Sequence, residues 1–342
     1  MLLTASRTLR SWFRPAIDAL FGRNLPFAYR WRLLLLQPIS LITYSIATIP
    51  WLFSRPFKAE YITVAPGRTL RILVFNQYGP NKEGKLRPLH LDIHGGAFVG
   101  GLPEANAQFC ARVAEQTGAV VFSTSYRYAP AHPFPAAIDD VDAVLAYLRK
   151  HAIEKYGADP NLITVSGDSA GGNLALATAL SAPGAVKASV TFYASINLRL
   201  SPWQKPYGMP GTTKRLKDPF SFLLPLFDSY PGPVRDRELN NPRMSPYLAK
   251  LDDLPENMLL VVPAVDILVY EQLSFAKRLT EEMGESEDYA GRSVGTLYVE
   301  KGFHGYLGVP SPPGPKELKD QAWNAGVKFI QDAHRKHGWF WS

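Results

Sequence analysis

The chain has one cysteine, Cys110, among 342 residues, so no intramolecular disulfide can form. No Asn-x-Ser/Thr acceptor occurs either. Both absences point to a reducing, unglycosylated compartment, cytoplasmic or membrane-associated, the endoplasmic reticulum included. The sequence lacks a Cys/His cluster of metal-ligand spacing and a phosphate-binding Gly-Lys loop, so neither metal nor organic cofactor is implied. It also lacks a fixed-period repeat, which argues against a solenoid.

What is present is apolar material in quantity. Hydrophobic residues make up 46% of the chain, enough for one large α/β domain with a smaller appendage. The net charge of +7 is uneven: residues 1–60 hold eight basic side chains against Asp18 and Glu60, a balance of +6. A charge confined to one segment does not imply nucleic-acid binding by the main domain. Beside it runs an uncharged apolar stretch, Leu33 to Phe53, long enough to span a bilayer. Pro38 and Pro50 interrupt it, and Gln37, Ser40, Thr43, Ser45 and Thr48 dilute it. Two readings stand side by side: a pair of amphipathic cap helices packed on the core, or membrane anchoring or surface association through residues 33–53.

From Lys58 onward the pattern changes. Glu60–Gly67 and Leu70–Asn76 alternate as a hairpin does, followed by a polar loop, Gln77–Arg87, with Gly79-Pro80 and Gly84. Strands are expected at Pro88–Ile93, Ala119–Ser123, Leu162–Ser166, Ala188–Ala194, Met258–Val265 and Thr296–Glu300. Helices are expected at Ala105–Thr117, Ala136–His151, Ala170–Ser181, Glu271–Met283 and Lys316–His334. Such alternation predicts an α/β fold with a mostly parallel sheet covered on both faces, and sites at the carboxyl ends of its strands. Between Ser195 and Leu254 regularity is lost; this insertion carries Trp203, Tyr207, Phe220, Phe222, Phe227 and Tyr230, as a lid would.

The chemistry concentrates in Gly167-Asp168-Ser169-Ala170-Gly171-Gly172, between the strand LITVS and the helix NLALATAL. A serine on a sharp strand-to-helix turn is strained, and small neighbours such as Gly167 and Gly171 relieve clashes. Its hydroxyl projects above the sheet, where the helix N-terminus favours developing negative charge. After the strand PLHLDI comes His94-Gly95-Gly96-Ala97, whose backbone N–H groups, at Gly96 and Ala97 with that of Ala170, are candidate oxyanion donors. The base is expected late in the chain, after the acid. Of seven histidines, His304 lies just past the strand TLYVE, as a base requires; His334 and His337 read as charges at the end of the last helix. Asp266 ends the strand MLLVVPAV and is the preferred acid, while Glu271 and Asp288 read as surface positions.

These residues resemble the hormone-sensitive-lipase-like branch of α/β-hydrolases, of the arylacetamide-deacetylase and microbial-carboxylesterase type. The resemblance rests on His94-Gly95-Gly96-Ala97, Tyr126-Arg127-Tyr128-Ala129-Pro130, His132-Pro133-Phe134-Pro135-Ala136-Ala137 with Asp139-Asp140, Gly167 to Asn173, Ser245-Pro246, Asp266-Ile267-Leu268 and His304-Gly305. It implies an α/β-hydrolase fold over residues 59–342, with a cap drawn from residues 1–58 and the 195–254 insertion. It further implies a triad of Ser169, Asp266 and His304, with Asp168 marking the branch and a structural role for Tyr126–Asp140. Ala97 stands where the branch has a third glycine and Ile267 where it has a proline. The expected reaction is hydrolysis of a small apolar or aromatic ester with a short or medium acyl group. A tailoring hydrolase of a biosynthetic pathway and a non-catalytic small-molecule receptor on the same fold are the alternatives; plant receptors that resemble this branch lack the histidine that His304 provides.

Overall fold

A computed structural model describes residues 10–23, 25–76, 84–206, 224–310 and 315–341. The loop dipeptide Gly79-Pro80 and the aromatics Tyr207, Phe220 and Phe222 lie outside the described residues.

Eight strands form one sheet: β1 (Lys58–Ala65), β2 (Arg68–Phe75), β3 (Arg87–Ile93), β4 (Val120–Thr124), β5 (Ala158–Asp168), β6 (Val186–Phe192), β7 (Asn257–Val265) and β8 (Ser293–Phe303). Their order is β1-β2-β4-β3-β5-β6-β7-β8. β1–β2 and β2–β4 are antiparallel, and every other pairing is parallel. The helices are α1 (Arg14–Phe21), α2 (Phe27–Thr48), α3 (Ala107–Thr117), α4 (Ala136–His151), α5 (Ala170–Leu180), α6 (Val269–Gly284) and α7 (Lys316–Lys336). The α/β-hydrolase architecture is thus present, a mostly parallel sheet with helices on both faces.

Strand periodicity decides which face each side chain serves. Ile72 and Val74 join a cluster with Val141, Val144 and Leu145 of α4 and Leu174 of α5. Their neighbours Leu73 and Phe75 join the opposite cluster, with Phe109 and Val113 of α3 and Trp323 and Val327 of α7. The inner strands are therefore covered on both faces, and β3 is buried at every position. Met258, Leu260 and Val262 of β7 meet Phe275 and Leu279 of α6 in a third cluster.

The segment before β1 departs from the expected break at Pro38. α2 is one helix of 22 residues running through it. Pro38 and Leu34, the residue whose carbonyl loses its intrahelical partner, are both exposed, so the defect faces outward and the helix continues. Pro50 takes over the stop, in a 3-10 turn at Ile49–Trp51. The inward row of α2 is Leu33, Gln37, Ser40 and Tyr44. Gln37 accepts from Ala16 N at 3.0 Å and donates to Trp12 O at 3.0 Å. Arg30 donates to the carbonyls of Ala19, Gly22 and Leu25, closing the end of α1.

Glu271 was expected on the surface and is instead buried. Its Oε1 accepts from Ile196 N at 2.8 Å and Asn197 N at 3.2 Å, and its Oε2 pairs with Lys205 at 2.5 Å. A carboxylate inside the fold needs such partners, and here they come from the root of the insertion, which covers α6. Asn173 secures the same region by donating to Ser195 O and Met244 O.

Asp140, fully buried, accepts from Arg127 N at 2.9 Å and Arg127 Nε at 2.9 Å, and pairs with Arg68 at 3.2 Å. Asp140→Ala is expected to destabilise the protein by about 2–3 kcal/mol. That is the low end for a buried pair, because both guanidinium groups stay 30% exposed and can turn to water. Urea unfolding at pH 7 checks this; an unchanged midpoint would refute it.

Candidate active site

Between β5 and α5, Ser169 takes φ 52° and ψ −118°. An L-residue holds that conformation only when its surroundings insist on it. Ser169 N donates to Phe192 O at 2.8 Å, and Ser169 O accepts from Gly172 N, Asn173 N and Ser195 N. The turn tolerates no bulk beside it. A Cβ on Gly171 would lie 2.0 Å from Ile93 O, and one on Gly167 would lie 2.3 Å from Gly171 O.

The loop after β3 is tied to this turn by Asp168, whose Oδ1 accepts from Gly95 N at 2.7 Å and Asn106 Nδ2 at 2.9 Å. The loop then turns through three left-handed residues, Gly96 (φ 121°), Ala97 (φ 54°) and Phe98 (φ 61°). Val99 N and Gly100 N close it onto Gly96 O. Ala97 fits because its φ lies in the narrow left-handed region an L-residue can enter. Among the described residues, no backbone acceptor takes the N–H of Gly96, Ala97 or Ala170. They border one cavity together with Ser169.

Side chains from the Tyr126–Asp140 run brace the loop. Tyr126 OH donates to His94 O at 3.0 Å, and Tyr128 OH donates to Gly101 O at 2.9 Å. His94 is wholly buried, stacked on Tyr126 at 4.7 Å, with Nδ1 2.7 Å from Gly95 O. Burial lowers its pKa to about 4, so the ring is neutral and holds the loop through hydrogen bonds.

His304 reaches Ser169 from the loop after β8: its Nε2 lies 2.9 Å from Ser169 Oγ. Its Nδ1 lies 3.0 Å from Asp266 Oδ2, past the end of β7. Asp266 is buried and turned by Leu268 N, which donates to Oδ1 at 2.8 Å. With Nδ1–H donated to the carboxylate, Nε2 keeps its lone pair toward the serine hydroxyl. The ring of Tyr193 lies 5.1 Å from that of His304. Tyr193 is itself left-handed, at φ 40°. Nothing in the sequence singles it out.

The structure thus brings Ser169, Asp266, His304, Gly96, Ala97 and Ala170 together, with His94, Gly95, Gly167, Asp168 and Gly171 as their supports. It keeps the other late histidines away. His334 is not a charge at a helix end, as the sequence suggested, but a buried ring with Nε2 3.2 Å from Thr164 Oγ1. Burial lowers its pKa to about 3.

Beneath the site runs a polar column that sequence reading missed. Asn106 donates to Asp92 Oδ2 at 3.0 Å, and Ser166 Oγ donates to Asp92 Oδ1 at 2.7 Å. His90 meets Ser166 at 2.9 Å and Thr164 at 2.8 Å, and Thr164 meets His334. The register pairs His90 with Thr164 and Asp92 with Ser166, so all four point to one face of the sheet. Burial raises Asp92 to about 7 and lowers His90 to about 3. The available signal was His90 and Asp92 at alternate positions of an otherwise apolar strand, PLHLDI.

A cavity of about 800 Å³ opens over Ser169. Leu36, Ile39 and Tyr44 of α2 wall it, with Phe227 from the insertion, Leu307 and Trp323. Tyr44 joins wall to loop: its OH accepts from Gly101 N at 2.9 Å. Among the described residues no group of three or more His, Cys, Asp or Glu is placed to hold a metal ion.

A family profile described as "alpha/beta hydrolase fold" matches residues 90–308. Arylacetamide deacetylase of Oryctolagus cuniculus is 41% identical over 128 residues, 36% of this chain and 32% of that protein. Carboxylic ester hydrolase LipN of Mycobacterium tuberculosis is 30% identical over 256 residues, 70% of this chain and 64% of that protein. The matched stretch thus spans 32% to 64% of the length of these two relatives. Among solved structures, the hyperthermophilic esterase of the archaeon Pyrobaculum calidifontis superposes with a TM-score of 0.67 at 28% identity, over 88% of this chain and 92% of that one. Esterase LipW from Mycobacterium marinum shares the fold, with a TM-score of 0.70 at 20% identity over 88% of this chain and 90% of that one.

The buried rings contribute to the response to acid. His90, His94 and His334 have folded pKa values of about 3, 4 and 3, against an ordinary value of 6.5. Between those values the unfolded chain binds protons that the folded chain refuses, so stability falls as pH falls from about 6.5 towards 4. Asp92, raised to about 7, opposes this by one proton, and burial also raises Asp168 and Glu271, which oppose it in the same sense. His334→Gln should make the fall shallower by about 1.4 kcal/mol per pH unit. Urea midpoints across that pH range check it; an unchanged slope would count against a neutral His334.

Proposed function

This chain belongs to the α/β-hydrolase family, in its hormone-sensitive-lipase-like branch, and on that premise we propose that it is a serine carboxylic-ester hydrolase. The observation that carries the proposal is the line from Ser169 Oγ to His304 Nε2 at 2.9 Å and from His304 Nδ1 to Asp266 at 3.0 Å, beside three N–H groups without backbone acceptors.

Ser169 Oγ attacks the ester carbonyl carbon while His304 Nε2 takes its proton. The carbonyl oxygen gains the electron pair and is held by Gly96 N, Ala97 N and Ala170 N, where removing one such donor typically costs 10²–10³-fold in rate. Asp266 steadies the imidazolium and keeps its tautomer. The tetrahedral species collapses, the alkoxide leaves with the proton from His304, and Ser169 stays acylated. Water, deprotonated by His304, then attacks the acyl carbon, and Ser169 leaves with that proton.

The apolar cavity wall favours apolar or aromatic esters with short or medium acyl groups. Such an ester brings no charge to be paired in the cavity, and its carbonyl oxygen, the stronger acceptor of its two oxygens, would meet the three N–H groups.

Hydrolysis of p-nitrophenyl esters of increasing acyl length tests the proposal. Wild type should show an optimum at short or medium chains. Ser169→Ala should lose about 10⁴- to 10⁶-fold in kcat, and Asp266→Asn about 10⁴-fold. Full activity in Ser169→Ala would remove the proposed nucleophile.

A further inference from the structure

We propose that α1, α2 and the turn after them form a docking face for the surface of an anionic membrane, lying in its plane, with the mouth of the cavity against the lipid. The delivery of substrate rests on the ester-hydrolase reading; the docking itself does not.

Exposed large apolar side chains are not spread over the molecule. Of the twenty among the described residues, twelve lie between Phe13 and Phe53. A soluble surface rarely gathers so much apolar area in one place without a partner. On α2 they form one outward row: Phe27, Trp31, Leu34, Leu35, Ile42 and Ile46. The spacing is helical and opposite to the inward row of Leu33, Gln37, Ser40 and Tyr44. Phe21, at the end of α1, and Phe53, past the turn that ends α2, are 76% and 99% exposed.

Charge selects the partner. From residue 10 to residue 59 the sole carboxylate is Asp18, buried against Arg14. Arg10 and Arg23, flanking α1, and Arg55 and Lys58, past the end of α2, are exposed. An exposed apolar row in a segment whose exposed charges are all basic matches an anionic lipid surface rather than neutral or cationic protein.

The segment Phe27–Trp51 is long and apolar enough to cross a bilayer, but its bonds argue for lying flat. Crossing would strip Gln37 from Ala16 N and Trp12 O. It would also pull Tyr44 from Gly101 N, on the loop that carries the oxyanion donors. Lying flat keeps these bonds and buries only the outward row. Ile46 belongs both to that row and to the cavity wall, and Pro50 and Trp51 continue the wall beside it. An apolar ester dissolved in the lipid then meets the cavity without crossing water.

The test is co-sedimentation of the full chain with preformed vesicles of phosphatidylcholine, with and without phosphatidylserine, in the absence of substrate. Binding is expected to vesicles with phosphatidylserine, weaker without it. The triple variant Leu34→Ser, Leu35→Ser, Ile42→Ser should lose at least about tenfold in binding. It should still hydrolyse a dissolved short ester, which shows that it folds. Arg23→Glu with Arg55→Glu should remove the preference for phosphatidylserine. Undiminished binding in the triple variant, or no binding by the wild type, overturns the proposal. So does a wild-type dimer that the triple variant dissolves without any vesicle binding, since the face would then belong to a second copy. An inactive chain that still binds vesicles leaves the docking standing and refutes the hydrolase reading alone.

Discussion

Ser169 at φ 52° and ψ −118° is the constraint on which the rest depends. Such a conformation costs an L-residue about 1–3 kcal/mol, and it persists only where the surroundings over-determine it. Here those surroundings come from the strands on either side of β5. Ile93 O leaves no room for a side chain on Gly171, and Phe192 O takes the serine N–H. The strain has a use: it lifts Oγ off the sheet to the point where His304, arriving from β8, can meet it.

The same centre is held from below. Asp168 joins the serine turn to the loop after β3, and Asn106 joins Asp168 to Asp92. Asp92 is shared between the carboxyl ends of β3 and β5 through Ser166. Polar groups in so dry a place cost stability unless every one is matched, and matched they fix one arrangement. Ser169, the loop after β3 and the strand ends are therefore tied together by one hydrogen-bonded set. From above, Tyr44 and Glu271 tie the two cavity walls, α2 and the insertion, to the same core.

Most of this centre was legible in the sequence because its constraints are local. Gly167 and Gly171 around Ser169, and Gly95-Gly96 after a strand, express steric limits that act within a few residues. Asp266 and His304 could be read because strand ends in a parallel sheet face one edge, so the order of strands locates the loops. Misreadings arose where a residue's environment is set by distant chain. Glu271 looks like a surface acid on a helix until the insertion folds over it, and His334 looks like a helix-end charge until Thr164 receives it. Pro38 suggests a break, yet the break is avoided because the affected turn faces outward. Tyr193 and Tyr44 carry no local signature, since each acquires its place from partners far along the chain.

Labelling with a fluorophosphonate, followed by peptide mapping, tests the assignment of Ser169 most directly, because it reads the nucleophile without any assumption about the natural ester. Attack by Ser169 Oγ on phosphorus with loss of fluoride should leave one adduct per chain, on the peptide containing Gly167–Asn173. The Ser169→Ala chain should take up none, and His304→Ala should label far more slowly. An adduct on another residue, or equal labelling of Ser169→Ala, would contradict the assignment and the mechanism built on it.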